Sequence, residues 1–163
     1  MSLQLLISET LAFLVLSLLF FHIITGGFVG TSGYLETKTT ELVTYDPPSV
    51  KEGPLLPERF YEHCSVIMDS TFYLIGGFET QSKILAIDVR TSEMTYKSEL
   101  NHGRKRHACA QITGSNPKII VSGGFDDIGY PMKSTEIYTI VNDSWEIGKY
   151  LRPFFIFDKL FFL

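Results

Sequence analysis

The chain has 163 residues, enough for one ordinary domain. Its 18 acidic and 14 basic side chains give a net charge of −4, whereas a general nucleic-acid-binding protein is usually basic, so we expect no nucleic-acid partner. Two cysteines are too few for a disulfide scaffold or a four-cysteine zinc site. The 13 glycines, 13 phenylalanines and eight tyrosines favour β-structure over helical bundles.

Residues 1–22 form a hydrophobic leader, which we expect to be helical. No lysine or arginine precedes Lys38, and the 14 residues Leu11–Ile24 are apolar apart from Ser17 and His22. This length is typical of a signal-peptide core and is short for a membrane span. Three interpretations stay open: a signal peptide or membrane anchor, a buried strand or helix of the domain, and residues foreign to it. A working leader predicts a secreted or membrane-associated protein, and otherwise we expect a cytoplasmic one.

Three diglycine units recur along the chain with spacings of 50 and 47 residues. Each follows an apolar run typical of a β-strand, and each is followed by phenylalanine. The units are Gly26-Gly27-Phe28, Gly76-Gly77-Phe78 and Gly123-Gly124-Phe125. A single doublet would indicate an ordinary turn, but three in phase indicate a structural repeat.

Each repeat reads as four short strands, and the repeats span about 23–53, 59–97 and 104–146. In the middle repeat the strands are predicted at His63–Met68, Thr71–Gly76, Lys83–Asp88 and Met94–Lys97, with turns between them. Aligning the third strands places Lys83 where the other repeats have Glu41 and Glu136. Near the end of the repeats, Trp145 is matched by Tyr96 and by Val50.

This pattern resembles the kelch-repeat family over roughly residues 23–150. The resemblance rests on the glycine doublets and on the residues Tyr45, Ile87, Tyr138, Trp145, Arg59, His63, Arg106 and His107. It implies an all-β fold, a partial β-propeller of about three four-stranded antiparallel blades. Two interpretations of the apolar tail 151–163 stay open: the first strand of a truncated further blade, or a strand that pairs with the incomplete first blade and closes a ring. A three-blade segment is expected to need further blades or self-association to cover its end faces.

The sequence offers little catalytic chemistry, so we predict no catalytic, metal or cofactor site. His63 and His107 occupy matching positions and are expected to be structural, and no metal-ligand spacing occurs. A copper-oxidase-like propeller is the least favoured alternative.

Cys64 and Cys109 fall in predicted strands of adjacent blades. Because stacked sheets lie about 10 Å apart and a disulfide needs Cα atoms within about 7 Å, we predict two free thiols.

The resemblance implies a non-catalytic protein-interaction scaffold whose ligand binds the inter-blade loops and the loops after the diglycines, which should share one surface. Actin or an adaptor-type protein is the partner class that it suggests. The alternative is a secreted or membrane-anchored propeller fragment, with membrane association through the leader. The candidate partner-binding residues are Arg59, Tyr61, Arg104, Lys105, Arg106, Asp126, Asp127 and Tyr130.

Overall fold

The computed structural model describes residues 16–18, 21–25, 28–29, 35–36, 38–45 and 47–149. These residues form three four-stranded antiparallel sheets, here called blades 1, 2 and 3, and a two-stranded ribbon. The strands of blade 1 and its ribbon are β1 (Leu16–Leu18), β2 (Phe21–Thr25), β3 (Phe28–Val29), β4 (Leu35–Glu36), β5 (Thr40–Tyr45) and β6 (Pro48–Glu52). The ribbon is formed by β3 and β4 between the second and third strands of blade 1.

Blades 2 and 3 are simple meanders in which consecutive strands pair. Blade 2 contains β7 (Cys64–Met68), β8 (Thr71–Ile75), β9 (Ile84–Asp88) and β10 (Met94–Lys97). Blade 3 contains β11 (Ala108–Ile112), β12 (Lys118–Ser122), β13 (Thr135–Thr139) and β14 (Ser144–Ile147). The first strands of neighbouring blades adjoin, since β7 contacts both β1 and β11. The all-β prediction of about three four-stranded antiparallel blades is therefore confirmed.

The expectation of a helical leader is wrong for the part of it that is described. Leu16–Leu18 and Phe21–Thr25 are strands of blade 1, because β2 pairs with β5 over five residues and β1 pairs with β2. Their apolar run provides strands of the sheet instead of a separate helix. Residues 1–15, the first diglycine and the predicted further strand in 151–163 lie outside the described residues. Within the described part, no helix is long and apolar enough to cross a membrane.

The strand register corrects the alignment of the second repeat by two residues. The residue before the diglycine pairs with Thr40 in blade 1, Ile84 in blade 2 and Thr135 in blade 3. Leu85, and not Lys83, therefore takes the place of Glu136. On the fourth strand, Trp145 pairs with Tyr138, as Met94 pairs with Ile87. Met94, and not Tyr96, is accordingly the counterpart of Trp145.

Two apolar cores join the blades, one on each face of blade 2, which explains why its first three strands are buried on both sides. Toward blade 1, the core contains Leu56, Phe60, Ile67, Phe72, Leu74, Leu85 and Ile87, with Leu42 packed against it. Toward blade 3, it contains Val66, Met68, Tyr73, Ile75, Ile84, Ala86, Leu100, Ile119, Val121 and Tyr138, with Trp145 packed against it. The single tryptophan thus lies at the blade 2–blade 3 interface.

The diglycines are required where the linker entering a blade crosses the end of a second strand. Gly76 has φ +62°, and a Cβ there would lie 2.6 Å from the carbonyl oxygen of Arg104. Gly124 has φ +84°, and its Cβ would lie 2.5 Å from the carbonyl oxygen of Lys105. Left-handed backbone and this close approach together favour a residue without a side chain. In blades 2 and 3, the doublets therefore mark where the linker entering blade 3 crosses the ends of the second strands.

The prediction of two free thiols is wrong, since Cys64 and Cys109 form a disulfide with a Cα–Cα distance of 6.0 Å. The prediction assumed the spacing of parallel stacked sheets. In the structure the first strands of blades 2 and 3 adjoin directly, so the two sheets come closer at this inner edge than about 10 Å. Cys64 begins β7 and Cys109 is the second residue of β11.

Candidate functional site

Four loops that the sequence predicted to share a surface meet at one end of blades 2 and 3. We call this the rim surface, defined by residues 59–62, 78–80, 105–106 and 125–131. The amide of Phe78 donates to the carbonyl of Tyr61 over 3.0 Å, which joins the first two loops. Lys105 and Phe125 exchange backbone hydrogen bonds of 3.0 and 2.9 Å, which joins the last two. Backbone bonds thus hold these loops together on a rigid sheet scaffold.

The centre of the rim surface is a cation resting on a pair of stacked aromatic rings. The Tyr61 and Phe78 ring centroids lie 5.3 Å apart with an interplanar angle of 25°. Lys105 Nζ lies 4.3 Å from the centroid of Phe78, within cation–π range. Tyr61 is buried, whereas Phe78 is 45% exposed. The buried tyrosine therefore supports an accessible phenylalanine with a lysine beside it.

Two ion pairs flank this centre. Arg106 pairs with Glu62, and the Arg106 amide donates to the Glu62 carbonyl over 2.8 Å, so both backbone and side chain join the two inter-blade linkers. The Arg106 side chain remains 63% exposed. Arg59 lies 4.0 Å from Glu79, and both side chains are about half exposed. Both arginines are thus accessible to a partner, and exposed pairs of this kind add little to stability.

The loop after the third diglycine presents two apolar side chains to solvent. Asp126 Oδ1 accepts a hydrogen bond of 2.7 Å from the amide of Tyr130, and the Asp126 amide donates to the Tyr130 carbonyl over 3.0 Å. This closed turn leaves Tyr130 66% and Ile128 72% exposed. Asp127 is exposed, and its Oδ1 accepts from the Ile128 amide. The Asp126 carboxylate therefore shapes the loop, while Ile128 and Tyr130 form its accessible tip.

Arg104 differs from the other candidate residues because it is fully buried, so its side chain is not available to a partner. Its guanidinium pairs with the buried carboxylate of Glu136 at 2.7 Å and donates to the carbonyls of Gly123 and Ser134. The backbone amides of Asn101 and His102 also donate to Glu136. This buried ion pair joins the linker entering blade 3 to strand β13, so Arg104 has a structural position between blades 2 and 3.

The electrostatics of the pair explain why it stays ionised in a buried site. Burial alone would raise the pKa of Glu136, but hydrogen bonds from Asn101 and the hydrogen bond and charge of Arg104 lower that pKa below its usual value. Burial lowers the pKa of Arg104, and Glu136 partly opposes this shift. Both groups are therefore charged at neutral pH, and each compensates the other's desolvation.

The two matching histidines lie beneath the rim surface. Burial lowers the pKa of His63 to about 4 and, together with the charge of Arg104, lowers that of His107 to about 3. Both rings are therefore neutral at pH 7. His107 packs against Gly124, and no group of the described residues forms a hydrogen bond with either of its ring nitrogens. Within the described residues, no group of three or more His, Cys, Asp or Glu side chains is arranged so that it could hold a metal ion.

Sequence reasoning did not select three important residues. Phe78 carried a signal, since phenylalanine follows every diglycine, but the pattern does not distinguish exposed Phe78 from the partly buried Phe125. Ile128 gave no signal beyond its place in a loop. Glu136 was aligned with Glu41, but nothing local predicted that Arg104, 32 residues earlier, would bury it.

Comparison with known proteins supports the architecture. Three adjoining antiparallel sheets with a recurring diglycine define blades of the β-propeller type. A family model described as the kelch motif matches residues 105–152, which include all of blade 3. This match confirms the resemblance to the kelch-repeat family.

Two plant proteins are similar to the chain, both from Arabidopsis thaliana. F-box/kelch-repeat protein OR23 is 30% identical over 135 residues, which cover 68% of this chain and 30% of the relative. F-box/kelch-repeat protein At2g44130 is 29% identical over 104 residues, which cover 60% of this chain and 24% of the relative. The chain thus spans less than a third of the length of these relatives.

Proposed function

We propose that the chain is a non-catalytic scaffold that binds a protein ligand through the rim surface. The observation that carries the proposal is the exposed Phe78, stacked on buried Tyr61 and flanked by Lys105. An accessible aromatic side chain with a rigid support loses little conformational freedom on binding, which favours it as a binding hot spot. Tyr130 and Ile128 supply further exposed apolar area nearby.

The charges around these side chains support a protein ligand in particular. Arg59 and Arg106 are accessible, and because a guanidinium has five N–H donors, each can bind a carboxylate of the partner while it keeps its own. Aromatic and arginine side chains are enriched in protein interfaces, as they are here. Actin and adaptor-type proteins stay the partner classes that the kelch resemblance suggests.

The test compares a double variant at the rim surface with a single variant at the opposite end of blade 3. Phe78→Ala combined with Tyr130→Ala removes exposed apolar area from the rim surface. Val141→Ser, in the turn between β13 and β14 at the opposite end of blade 3, alters a side chain that is 76% exposed. Both variants should keep the urea midpoint of the original protein, because none of the three side chains belongs to an apolar core.

The measurement is quantitative mass spectrometry of proteins retained from cell extract by each immobilised variant. We expect specific partners to be retained equally by the original chain and Val141→Ser, and to fall at least tenfold with Phe78→Ala/Tyr130→Ala, the equivalent of about 1.4 kcal/mol. Equal retention by all three proteins would refute the rim surface as the binding site. A partner lost only with Val141→Ser would place binding at the opposite end.

A further inference from the structure

We propose that the Cys64–Cys109 disulfide is a redox-sensitive latch that holds the inner edge of the blade 2–blade 3 interface and the rim loops above it. The bond joins β7 to β11 across a sequence separation of 45 residues. Cys64 follows loop 59–63 directly, and Cys109 follows loop 104–107 by one residue. The bond therefore ties together the bases of the two linkers that contribute to the rim surface. The proposal concerns the blades and does not require a bound partner.

Above the inner edge, the Arg106–Glu62 ion pair and the hydrogen bond from the Arg106 amide to the Glu62 carbonyl also join the two linkers. Within β7 and β11, the residues next to the two cysteines in sequence are Ser65, Ala108 and Ala110, which are too small to interdigitate between strands. In the part of the chain that the structure describes, neither Ser65 Oγ nor the ring nitrogens of His107 have a hydrogen-bond partner, although both side chains are buried. The covalent bond is thus the strongest connection at the point where β7 and β11 adjoin.

Away from the inner edge, the two blades are joined independently of the disulfide. The middle of the interface contains the apolar core and the buried pair of Arg104 with Glu136. At the outer edge, the indole of Trp145 donates to the carbonyl of Ser98 over 2.8 Å. Reduction should therefore release the inner edge while blades 2 and 3 stay docked, which is what distinguishes a latch from a bond required for folding.

The reaction is thiol–disulfide exchange with an external dithiol, for which dithiothreitol is the probe. Cys109 is partly exposed and Cys64 is 6% exposed, so the attacking thiolate is expected to reach Cys109 Sγ. A mixed disulfide forms, and Cys64 leaves as a thiolate and takes a proton. The second thiol of the reductant then displaces Cys109, so the protein gains two electrons and two protons and the dithiol becomes a cyclic disulfide.

The test uses the full chain in mixtures of reduced and oxidised dithiothreitol. Maleimide labelling with mass measurement counts free thiols, and hydrogen exchange reports loop opening. We expect both thiols to appear together and reversibly, and exchange in 59–63 and 104–107 to rise at least tenfold. Exchange in β13 should not change. The melting temperature should fall by roughly 10 °C, since a cross-link of this loop length constrains the unfolded chain.

The single tryptophan distinguishes a latch from a structural cross-link. Because Trp145 lies at the outer part of the interface, its emission maximum at 25 °C should be the same in oxidised and reduced protein. The double variant Cys64→Ser/Cys109→Ser should have the loop exchange and melting temperature of the reduced protein, and dithiothreitol should change neither. If the double variant does not fold, Cys109→Ala serves as the control. Free thiols in oxidised protein, unchanged loop exchange, or a Trp145 emission shift to that of the urea-unfolded chain would each overturn the proposal.

Discussion

The buried pair of Arg104 and Glu136 offers the sharpest test of how the blades are joined, because blade 2 has an apolar pair at the same two positions. Phe60 lies four residues before the first residue of β7, as Arg104 lies four before that of β11. Leu85 pairs with Leu74 in register as Glu136 pairs with Val121. All four side chains are fully buried. The same place between two blades is thus filled by an ion pair in one interface and by hydrocarbon in the other.

This equivalence predicts strongly non-additive effects of substitution. Arg104→Phe leaves the Glu136 carboxylate buried without its cation, and Glu136→Leu leaves the guanidinium without its anion. Each should cost about 3–5 kcal/mol of unfolding free energy, the usual cost of breaking a buried pair. The combination should lie within about 2 kcal/mol of the original protein, because buried ion pairs often exchange for apolar pairs with little net loss. The remaining cost arises because the backbone amides of Asn101 and His102 lose the carboxylate as their acceptor and must form hydrogen bonds with water instead.

Urea unfolding followed by Trp145 fluorescence measures all four proteins of this double-mutant cycle. Trp145 lies at the blade 2–blade 3 interface, so its fluorescence reports the separation of these blades directly. Tyr138→Phe serves as a control for changes in the same core that leave both charges paired. Single variants within 1 kcal/mol of the original, or a double variant as unstable as the sum of its singles, would refute the equivalence of the two pairs.

Three further predictions follow from the burial and backbone of the described residues. The unfolded chain protonates His107 near pH 6.5 but the folded chain only near pH 3, so this histidine should lower stability by about 1.4 kcal/mol per pH unit as the pH drops between these values. In urea titrations from pH 7.5 to 5, His107→Gln should remove this contribution and leave the similar contribution of His63. Gly124→Ala should lower the free energy of unfolding by more than ~2 kcal/mol, because the added Cβ meets the linker. Gly129→Ala, at φ +89° with open space around it, should lower it by only ~1 kcal/mol. Equal losses would contradict a role for the close linker contact. Tyr138→Phe removes the 2.6 Å bond to Asp143 and should cost about 1 kcal/mol by thermal unfolding, with no change in the pH slope.

The architecture was predictable because blade strands carry a local signal. Thr71–Ile75 is a short apolar run bounded by a turn and a diglycine, and Met94–Lys97 was predicted with its observed bounds. The alignment of the second repeat was wrong by two residues, because Lys83 in the loop before β9 resembles a strand residue when compared by sequence alone. Register is set by the pairing between strands, so it cannot be read from the sequence of one strand alone.

The site was predictable as loops but not as side chains. A basic run at 104–106 reads as uniformly exposed, yet Arg104 points into the interface, Lys105 rests on Phe78 and Arg106 stays accessible. Their different positions depend on partners 20 to 45 residues away in sequence. The disulfide was missed for the same reason, since the approach of β7 to β11 depends on how two blades converge.

The two interfaces of blade 2 differ in how strictly they fix the position of the linker between the blades, and the ion pair explains the difference. An apolar pair such as Phe60 with Leu85 accepts many neighbours of similar volume, since hydrocarbon contacts have little directionality. The Arg104 guanidinium instead requires the carbonyls of Gly123 and Ser134 and the Glu136 carboxylate at fixed positions. Any sliding of the linker along blade 3 would leave a buried charge unpaired. The pair therefore fixes the position of the linker entering blade 3, and with it the place of Lys105 and Arg106 on the rim surface.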